Sequence, residues 1–222
     1  YHEHNARSER PHVLEDIAAG RAVALISDAG TPLISDPGYK LVREAADAGH
    51  SVTCLPGASA VTTALALAGL PTDTFLFAGF LPNRSAARRT RIAEFKAVPA
   101  TLVFFEAPSR LAESLADLAD VLGPREAAVA RELTKLYEEA RRGSLSDLAA
   151  WAAREPQRGE MVILVAPGTA TMLTDAEIEA KVGALVAEMS VRDAAKAAAD
   201  SLGIPKARAY DLALAMKRAK DA

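Results

Sequence analysis

The sequence predicts an α/β fold in two domains, followed by a helical C-terminal extension. Within residues 22–69, short apolar runs that end in Gly and Pro alternate with helical segments, a pattern typical of a parallel sheet. A cluster of helix and strand breakers at residues 69–73 interrupts the alternation. Beyond residue 168 the chain becomes alanine-rich and helical in pattern. We therefore expect α/β domains at 1–70 and 71–168 and a helical domain at 172–222.

The composition is that of an ordinary globular protein. Half of the 222 residues are hydrophobic and a quarter are charged, and the net charge of −3 argues against a polyanion-binding surface over the whole molecule. The single cysteine, Cys54, allows no intramolecular disulfide, which fits a reducing cytoplasm. No stretch approaches the length of a membrane span. We therefore expect a cytoplasmic protein with no membrane partner.

The first domain is predicted to begin with a short helix at 11–19. Two units of strand, loop and helix then follow each other. Their strands are expected at 22–26 and 51–55, their loops at 28–32 and 56–60, and their helices at 38–48 and 61–68.

The second domain combines five predicted strands with three helices. The strands are expected at 74–80, 101–105, 126–131, 136–143 and 159–166. The helices are expected at 82–96 and 108–122 and after Ser144, which is a typical N-cap residue.

Three helices are predicted at the C-terminal end, over 175–189, 191–202 and 206–220, with Ser190 as an N-cap and a turn at 203–205. Helix, glycine turn and helix is the helix-turn-helix pattern, and residues 190–222 carry seven basic and four acidic side chains. These helices could contact the backbone of a nucleic acid, although the deep groove of A-form RNA would admit no helix. A plain helical hairpin explains the pattern almost equally well.

The two predicted loops, 28–32 (DAGTP, the first loop) and 56–60 (PGASA, the second loop), are candidate ligand sites because each follows an apolar strand. Ligands of open α/β sheets bind where the strands end. Gly30 and Gly57 allow close approach of the backbone, and Ser59 can cap the following helix so that its amides face an anion. Ordinary strand–helix turns remain the alternative. The sequence contains no P-loop, dinucleotide fingerprint or zinc-type Cys/His cluster, and we expect no metal.

The ordered motifs SDAGTPLISDPG, LPGASA, AGLP, FLP, FFEAPSR, ARELTK and GEMVILV resemble the tetrapyrrole-methylase-like family, and most closely its ribosomal RNA branch. The resemblance covers nearly the whole chain. It implies a parallel and then mixed sheet, with S-adenosylmethionine in a cleft between two α/β domains. It further implies ribose 2′-O-methylation of a cytidine in small-subunit (16S) rRNA, alone or in the assembled 30S subunit, by a homodimer.

By position, the resemblance assigns cofactor contacts to both loops and to two later strand ends. The residues are Asp28, Ala29, Gly30, Thr31, Pro32, Pro56, Gly57, Ser59, Ala60, Phe105 and Leu133. Family members also carry a P-I-G-N-L loop and an A-E-D-T-R motif in two earlier strands. Both motifs are expected upstream of Tyr1, so we expect this chain to be N-terminally incomplete and to hold only part of the site.

Methyl transfer to a ribose hydroxyl is helped by a base or by a cation near the developing alkoxide. Glu132 and Glu106 are candidate bases, and Lys135 and Arg131 are candidate cations, although a structural ion-pair cluster explains these residues equally well. The region 84–96 has five basic side chains and one acidic one, which suggests a surface that contacts phosphates, with a solvated helix face as the alternative. Its candidate RNA contacts are Arg84, Arg88, Arg89 and Arg91.

Two other functions fit parts of the sequence. A methyltransferase of a tetrapyrrole or other small substrate would share the cofactor loops, but the basic region and the C-terminal helices argue against it. A non-enzymatic nucleic-acid-binding protein would use the C-terminal helices and would bind no cofactor.

Overall fold

A computed structural model describes residue 1 and residues 5–168, 175–202 and 205–221. The chain divides into two compact units, 1–168 and 169–222, and each is described here by itself. The predicted boundary at residue 70 falls inside the first unit and stays a prediction. The predicted turn at Gly203 and Ile204, and the start of the predicted helical domain at 172, lie outside the described residues.

The first unit contains six helices and five strands among its described residues. The helices are α1 (Ala6–Ala18), α2 (Tyr39–Asp47), α3 (Ala60–Ala68), α4 (Ser85–Ala93), α5 (Leu111–Leu122, preceded by a 3-10 turn at Pro108–Arg110) and α6 (Leu145–Arg154). The strands are β1 (Phe75–Phe80), β2 (Thr101–Glu106), β3 (Glu126–Arg131), β4 (Glu139–Ser144) and β5 (Met161–Val165).

The five strands form one mixed sheet in the order β1-β2-β5-β3-β4. Strands β1 and β2 are parallel, with Leu76 opposite Leu102, and the other neighbours are antiparallel. Strands β1, β2 and β3 therefore all run in one direction, and their carboxyl ends lie at one edge together with the start of β5. This edge positions the candidate site.

Helices cover both faces of the sheet because the central strands are apolar on both sides. Phe104 and Ile163 belong to a core that includes Leu115 of α5 and Leu148 of α6. On the opposite face, Val103 packs in a second core with the buried side of α3. Consecutive β2 residues thus point into different cores, as the two-residue period of a strand requires.

The predicted strands at 22–26 and 51–55 are not formed, and this corrects the sequence prediction. A strand requires a neighbour for its amide and carbonyl groups, and neither segment pairs with a described strand. Ile26 and Leu55 are 86% and 85% exposed, so the apolar composition that predicted strands is not matched by burial. The predicted strand at 136–143 is also shifted, because β4 begins only at Glu139.

The second unit consists, in its described part, of α7 (Asp175–Glu188), α8 (Val191–Leu202) and α9 (Lys206–Asp221), which confirms the three predicted helices. Small side chains, among them Ala194 and Ala209, are fully buried between them, so the helices can approach closely. Ser190 caps α8 as predicted: the Asp193 amide donates to its hydroxyl at 3.2 Å. Among the described residues, no helix is both long and apolar enough to cross a bilayer.

Candidate functional site

A cavity of about 490 Å³ lies at the carboxyl edge of the sheet, and both predicted loops border it. We call it the loop cavity. The remaining wall comes from the ends of β1, β2 and β3 and the start of β5. Its lining residues are Ala29, Gly30, Thr31, Ile34, Ser35, Asp36, Ala58, Ser59, Ala60, Thr63, Phe80, Phe105, Glu106, Ala107, Pro108, Leu133, Thr134, Lys135, Gly159, Glu160, Met161 and Val162.

The two predicted loops are joined directly, although they lie 27 residues apart in the chain. The Thr31 hydroxyl donates a hydrogen bond to the Ala58 carbonyl oxygen at 3.0 Å. Within the segment that contains the first loop, the Ser27 hydroxyl donates to the Asp36 carboxylate at 2.5 Å. Gly30 has a φ of +71°, in the left-handed region that favours glycine, and a Cβ there would meet no atom within 4 Å. The first loop therefore presents its main chain at the cavity without a side chain at its centre.

The second loop leads into the N-terminus of α3. The sequence predicts that Ser59 caps this helix, but the Ser59 side chain does not. Its hydroxyl makes no capping hydrogen bond; instead its carbonyl oxygen accepts from the Thr63 amide and the Thr63 hydroxyl, at 3.0 and 2.8 Å. The first amides of α3 thus have no side-chain acceptor, and Ser59 and Ala60 border the cavity. Such an N-terminus favours a negatively charged ligand group.

Two aromatic side chains, Phe80 and Phe105, stand in the wall formed by the strand ends. Phe105 lies against Phe77 and Phe80 in edge-to-face contacts, with ring centroids 4.8 and 5.7 Å apart. Phe80 remains 57% exposed. An apolar wall facing main-chain polar groups is the usual construction of a small-molecule site.

Glu132 is held in place by the strand opposite it. Its amide donates to the Glu160 carbonyl oxygen at 3.1 Å, and its Oε1 accepts from the Glu160 amide at 2.9 Å. Its backbone has a φ of +49°, an uncommon value for a residue other than glycine. Gly159 makes this arrangement possible, because a Cβ at that position would lie 2.4 Å from Glu132 Oε1.

Lys135 borders the loop cavity and forms two ion pairs. Its Nζ lies 3.2 Å from Glu132 Oε1 and 3.3 Å from Glu160 Oε2. These carboxylates raise the pKa of Lys135, so its side chain remains a cation. The Glu160 amide and Lys135 in turn lower the pKa of Glu132, which leaves its carboxylate a weak base.

Glu106 also borders the loop cavity, but its side chain is fully buried and bonded. Its carboxylate accepts from the Ser114 hydroxyl at 2.5 Å and from the Ala107 amide at 2.8 Å. Arg110 pairs with it at 3.3 Å. These contacts tie the end of β2 to the start of α5.

The structure brings together most of the predicted cofactor residues. Those that border the loop cavity are Ala29, Gly30, Thr31, Ser59, Ala60, Phe105 and Leu133. Asp28, Pro32, Pro56 and Gly57 are not among its lining residues, and their role as cofactor contacts stays a prediction. Sequence reasoning missed Ser35 and Asp36, although the second breaker SDPG was a signal for them. It also missed Gly159, whose importance depends on contact with a residue 27 positions earlier.

The predicted RNA-contacting arginines on and beside α4 are mostly engaged by acidic residues of the fold. Arg88 is 1% exposed, and its Nε donates to Asp117 Oδ2 at 2.6 Å, which contradicts a direct role in RNA contact. Arg89 pairs with Asp120 at 2.7 Å and with Asp117 at 3.2 Å. Arg91 pairs with Glu94 and lies over the Phe95 ring, while Arg84 is exposed. The basic region thus serves in large part to join α4 to α5.

The Asp117 carboxylate is expected to make the first unit sensitive to acid. Burial raises its pKa, but hydrogen bonds from Arg88, Ser85 and Arg89 outweigh this, so the pKa is below its ordinary value. The resulting stabilisation is present above the ordinary aspartate pKa and is lost as the pH falls through the lower folded-state value. The free energy of unfolding of wild type should therefore exceed that of Asp117→Asn at neutral pH, and the difference should narrow in acid. If the difference in unfolding free energy between wild type and Asp117→Asn is the same at neutral and acidic pH, the lowered pKa of Asp117 is contradicted.

The sequence is similar to one group of methyltransferases. The family model of tetrapyrrole (corrin/porphyrin) methylases matches residues 2–149, and that of the RsmI C-terminal HTH domain matches residues 173–217. The ribosomal RNA small subunit methyltransferase I of Mesorhizobium japonicum is 50% identical over 219 residues, which cover 98% of this chain and 74% of that protein. Its counterpart from Pseudomonas aeruginosa is 46% identical, with 96% and 78% covered.

Solved structures with the same fold include a diphthine synthase, with a TM-score of 0.58 and 16% identity over 75% of this chain and 68% of that chain. The methyltransferase CobJ gives a TM-score of 0.54 and 24% identity, with 72% and 70% covered. At these identities the likeness shows the fold alone. The α/β fold predicted from the motifs is thereby confirmed.

The residues around the loop cavity fit S-adenosylmethionine, the methyl donor of the matched family. The volume of about 490 Å³ is in the range of small-molecule sites. The aromatic wall suits an apolar surface such as a nucleobase, the main chain at Gly30 faces open space, and the uncapped N-terminus of α3 suits a carboxylate.

Proposed function

The chain belongs to the ribosomal RNA small subunit methyltransferase I family within the tetrapyrrole methylases, and we propose that it methylates the ribose 2′-oxygen of a cytidine in 16S rRNA. The observation that supports this most is the loop cavity, where Gly30, Ser59 and Phe105 meet beside the cation of Lys135. The relatives named as ribosomal RNA methyltransferases and the match to the RsmI C-terminal HTH domain both favour an RNA substrate over a small one.

S-adenosylmethionine, when bound, supplies a methyl group that is already activated on a sulfonium. The task of this chain's residues is then to position the acceptor and exclude water. The first loop and the N-terminus of α3 provide the donors that orient a polar ligand, and Phe80 and Phe105 shield the apolar part of the cavity.

Among the candidate catalytic residues, we assign the main role to Lys135. A cation at the edge of the cavity stabilises the negative charge that develops on a ribose oxygen as its proton passes to solvent, to which the half-exposed Lys135 is open. Glu132 and Glu160 keep Lys135 protonated and in place. Glu132 and Glu106 therefore act as positioning residues rather than as the general base.

Replacing Lys135 by methionine removes this cation with little change in side-chain size. We expect kcat for methyl transfer to undermodified 30S subunits to fall by about 10²-fold, because one charge-stabilising group at a reacting oxygen contributes roughly that much. The dissociation constant of S-adenosylmethionine should change little. Lys135→Arg should recover part of the rate, and the exposed Lys96→Met is the matched control, since Lys96 lies outside the cavity lining. Equal kcat values for Lys135→Met and wild type would remove Lys135 from the mechanism.

The partners follow from the same proposal. We propose that the substrate is small-subunit rRNA within the 30S particle and that the enzyme acts in the cytoplasm as a homodimer. We further propose that the exposed Arg84 contacts the RNA, with a smaller contribution from Arg89 and Arg91, whose charges are paired with carboxylates. Light scattering after size-exclusion chromatography tests the dimer, which a monomer mass at micromolar concentration would contradict.

A further inference from the structure

A second cavity lies beside the loop cavity, where α1 meets the N-terminus of α2. Its volume is about 670 Å³, and Ser35 and Asp36 line both cavities. Its wall carries three basic side chains, Arg7, Arg10 and Lys40. We call it the basic cavity.

Two of these three charges are available to a ligand. Arg10 is engaged, since its Nε lies 3.0 Å from the Glu44 carboxylate. Arg7 and Lys40 are exposed, and neither forms an ion pair with a carboxylate in the part of the chain that the structure describes. This distinguishes them from Arg88, Arg89 and Arg91, whose charges are compensated within the fold.

The N-terminus of α2 adds to the positive potential of the basic cavity, and Asp36 opposes it. Gly38 is the N-cap of α2 and offers no side-chain acceptor to the first amides of the helix, and Tyr39 and Lys40 at this terminus line the cavity. The acidic side chain in the wall, Asp36, accepts a hydrogen bond from Ser27 at 2.5 Å. Tyr39 is 59% exposed, so its ring is accessible for stacking on a base.

We propose that the basic cavity binds a backbone phosphate of the RNA strand whose ribose enters the loop cavity. The proposal rests on the proposed function and adds a location for the substrate. Phosphate contacts fix the register of a nucleic acid without reading its sequence. Because Ser35 and Asp36 form a shared wall, a strand held by Arg7 and Lys40 continues directly towards the loop cavity.

The test compares the full-length wild-type protein with the double variant Arg7→Gln/Lys40→Gln. Binding of a fluorescent single-stranded oligocytidylate is measured by anisotropy over a range of salt concentrations, and S-adenosylmethionine affinity is measured in parallel. Loss of two phosphate contacts should weaken RNA binding about tenfold near physiological salt. It should also reduce the slope of log K against log salt by about 1.4. Cofactor affinity should be unchanged.

Arg43→Gln is the matched control, because Arg43 lies on the same helix, is 72% exposed and is not among the residues that line the basic cavity. The charge-conserving variant Arg7→Lys/Lys40→Arg should bind RNA nearly as wild type does. An unchanged salt slope for the double glutamine variant, or an equal loss in Arg43→Gln, overturns the proposal. A loss of S-adenosylmethionine affinity in the double glutamine variant also overturns the proposal, because Arg7 and Lys40 would then act through the loop cavity. Failure of wild type to methylate 30S subunits would instead contradict the proposed function itself.

Discussion

Replacing Gly159 by alanine is expected to reduce methyl transfer by 100-fold or more, a loss of about 3 kcal/mol in transition-state stabilisation. The added Cβ would lie 2.4 Å from Glu132 Oε1 and would displace a carboxylate that holds the Glu160 amide and Lys135. Displacing Glu132 releases the wall formed by residues 133–135 and moves the Lys135 cation. Single-turnover methyl transfer to 30S subunits, together with S-adenosylmethionine binding, measures the effect.

Gly123→Ala is the matched control for this substitution. Both glycines have nearly the same positive φ, +84° at Gly159 and +81° at Gly123, but a Cβ at Gly123 meets nothing within 4 Å. The control therefore places an alanine at a positive φ without a collision. Introducing Gly159→Ala into a Glu132→Ala background should cost much less than in wild type, because the displaced group is already absent. Additive losses in this cycle would contradict the proposed link between the two residues.

Replacing Arg88 by methionine should destabilise the first unit by about 3–5 kcal/mol, because it leaves Asp117 without its buried partner. Arg88 is 1% exposed and pairs with Asp117 at 2.6 Å, so water compensates little of the loss. Urea unfolding followed by Trp151 fluorescence reports on this unit, since Trp151 is the single tryptophan and packs beside its core.

Arg89→Met provides the comparison for Arg88→Met. Arg89 contacts the same carboxylate but is 42% exposed, so solvent screens the pair, and Arg89→Met should destabilise the first unit much less than Arg88→Met does. The double variant Arg88→Met/Asp117→Leu removes both buried charges and should be more stable than Arg88→Met alone. Similar free energies of unfolding for Arg88→Met and Arg89→Met would contradict the claim that the buried Arg88–Asp117 ion pair stabilises the first unit.

The sequence predicts correctly those strands whose apolar residues also find a neighbouring strand in the folded protein. The prediction for β3 matches its observed bounds, because a continuous apolar run there meets strands on both sides. The equally apolar 22–26 and 51–55 form no strand, since pairing depends on a neighbour that an apolar run does not specify.

The candidate site divides in the same way. Glycine-containing loops after apolar runs predict that Gly30 and Ser59 belong to a ligand site, and both residues border the loop cavity. The charge run around Arg88 suggested RNA contact, but Asp117 lies 29 residues further on, and only the packing of α4 on α5 brings it within 2.6 Å. The dependence of Glu132 on Gly159 was equally invisible, because it arises from the register of β3 and β5.

The most direct test of the proposed activity is the identity of the methylated nucleoside. The full-length protein is incubated with radiolabelled S-adenosylmethionine and 30S subunits that lack this modification, and the rRNA is digested to nucleosides. We predict that the label co-elutes with 2′-O-methylcytidine and that Lys135→Met reduces it about 10²-fold. Label on a base, label on another nucleoside, or transfer only to a tetrapyrrole would contradict the proposal.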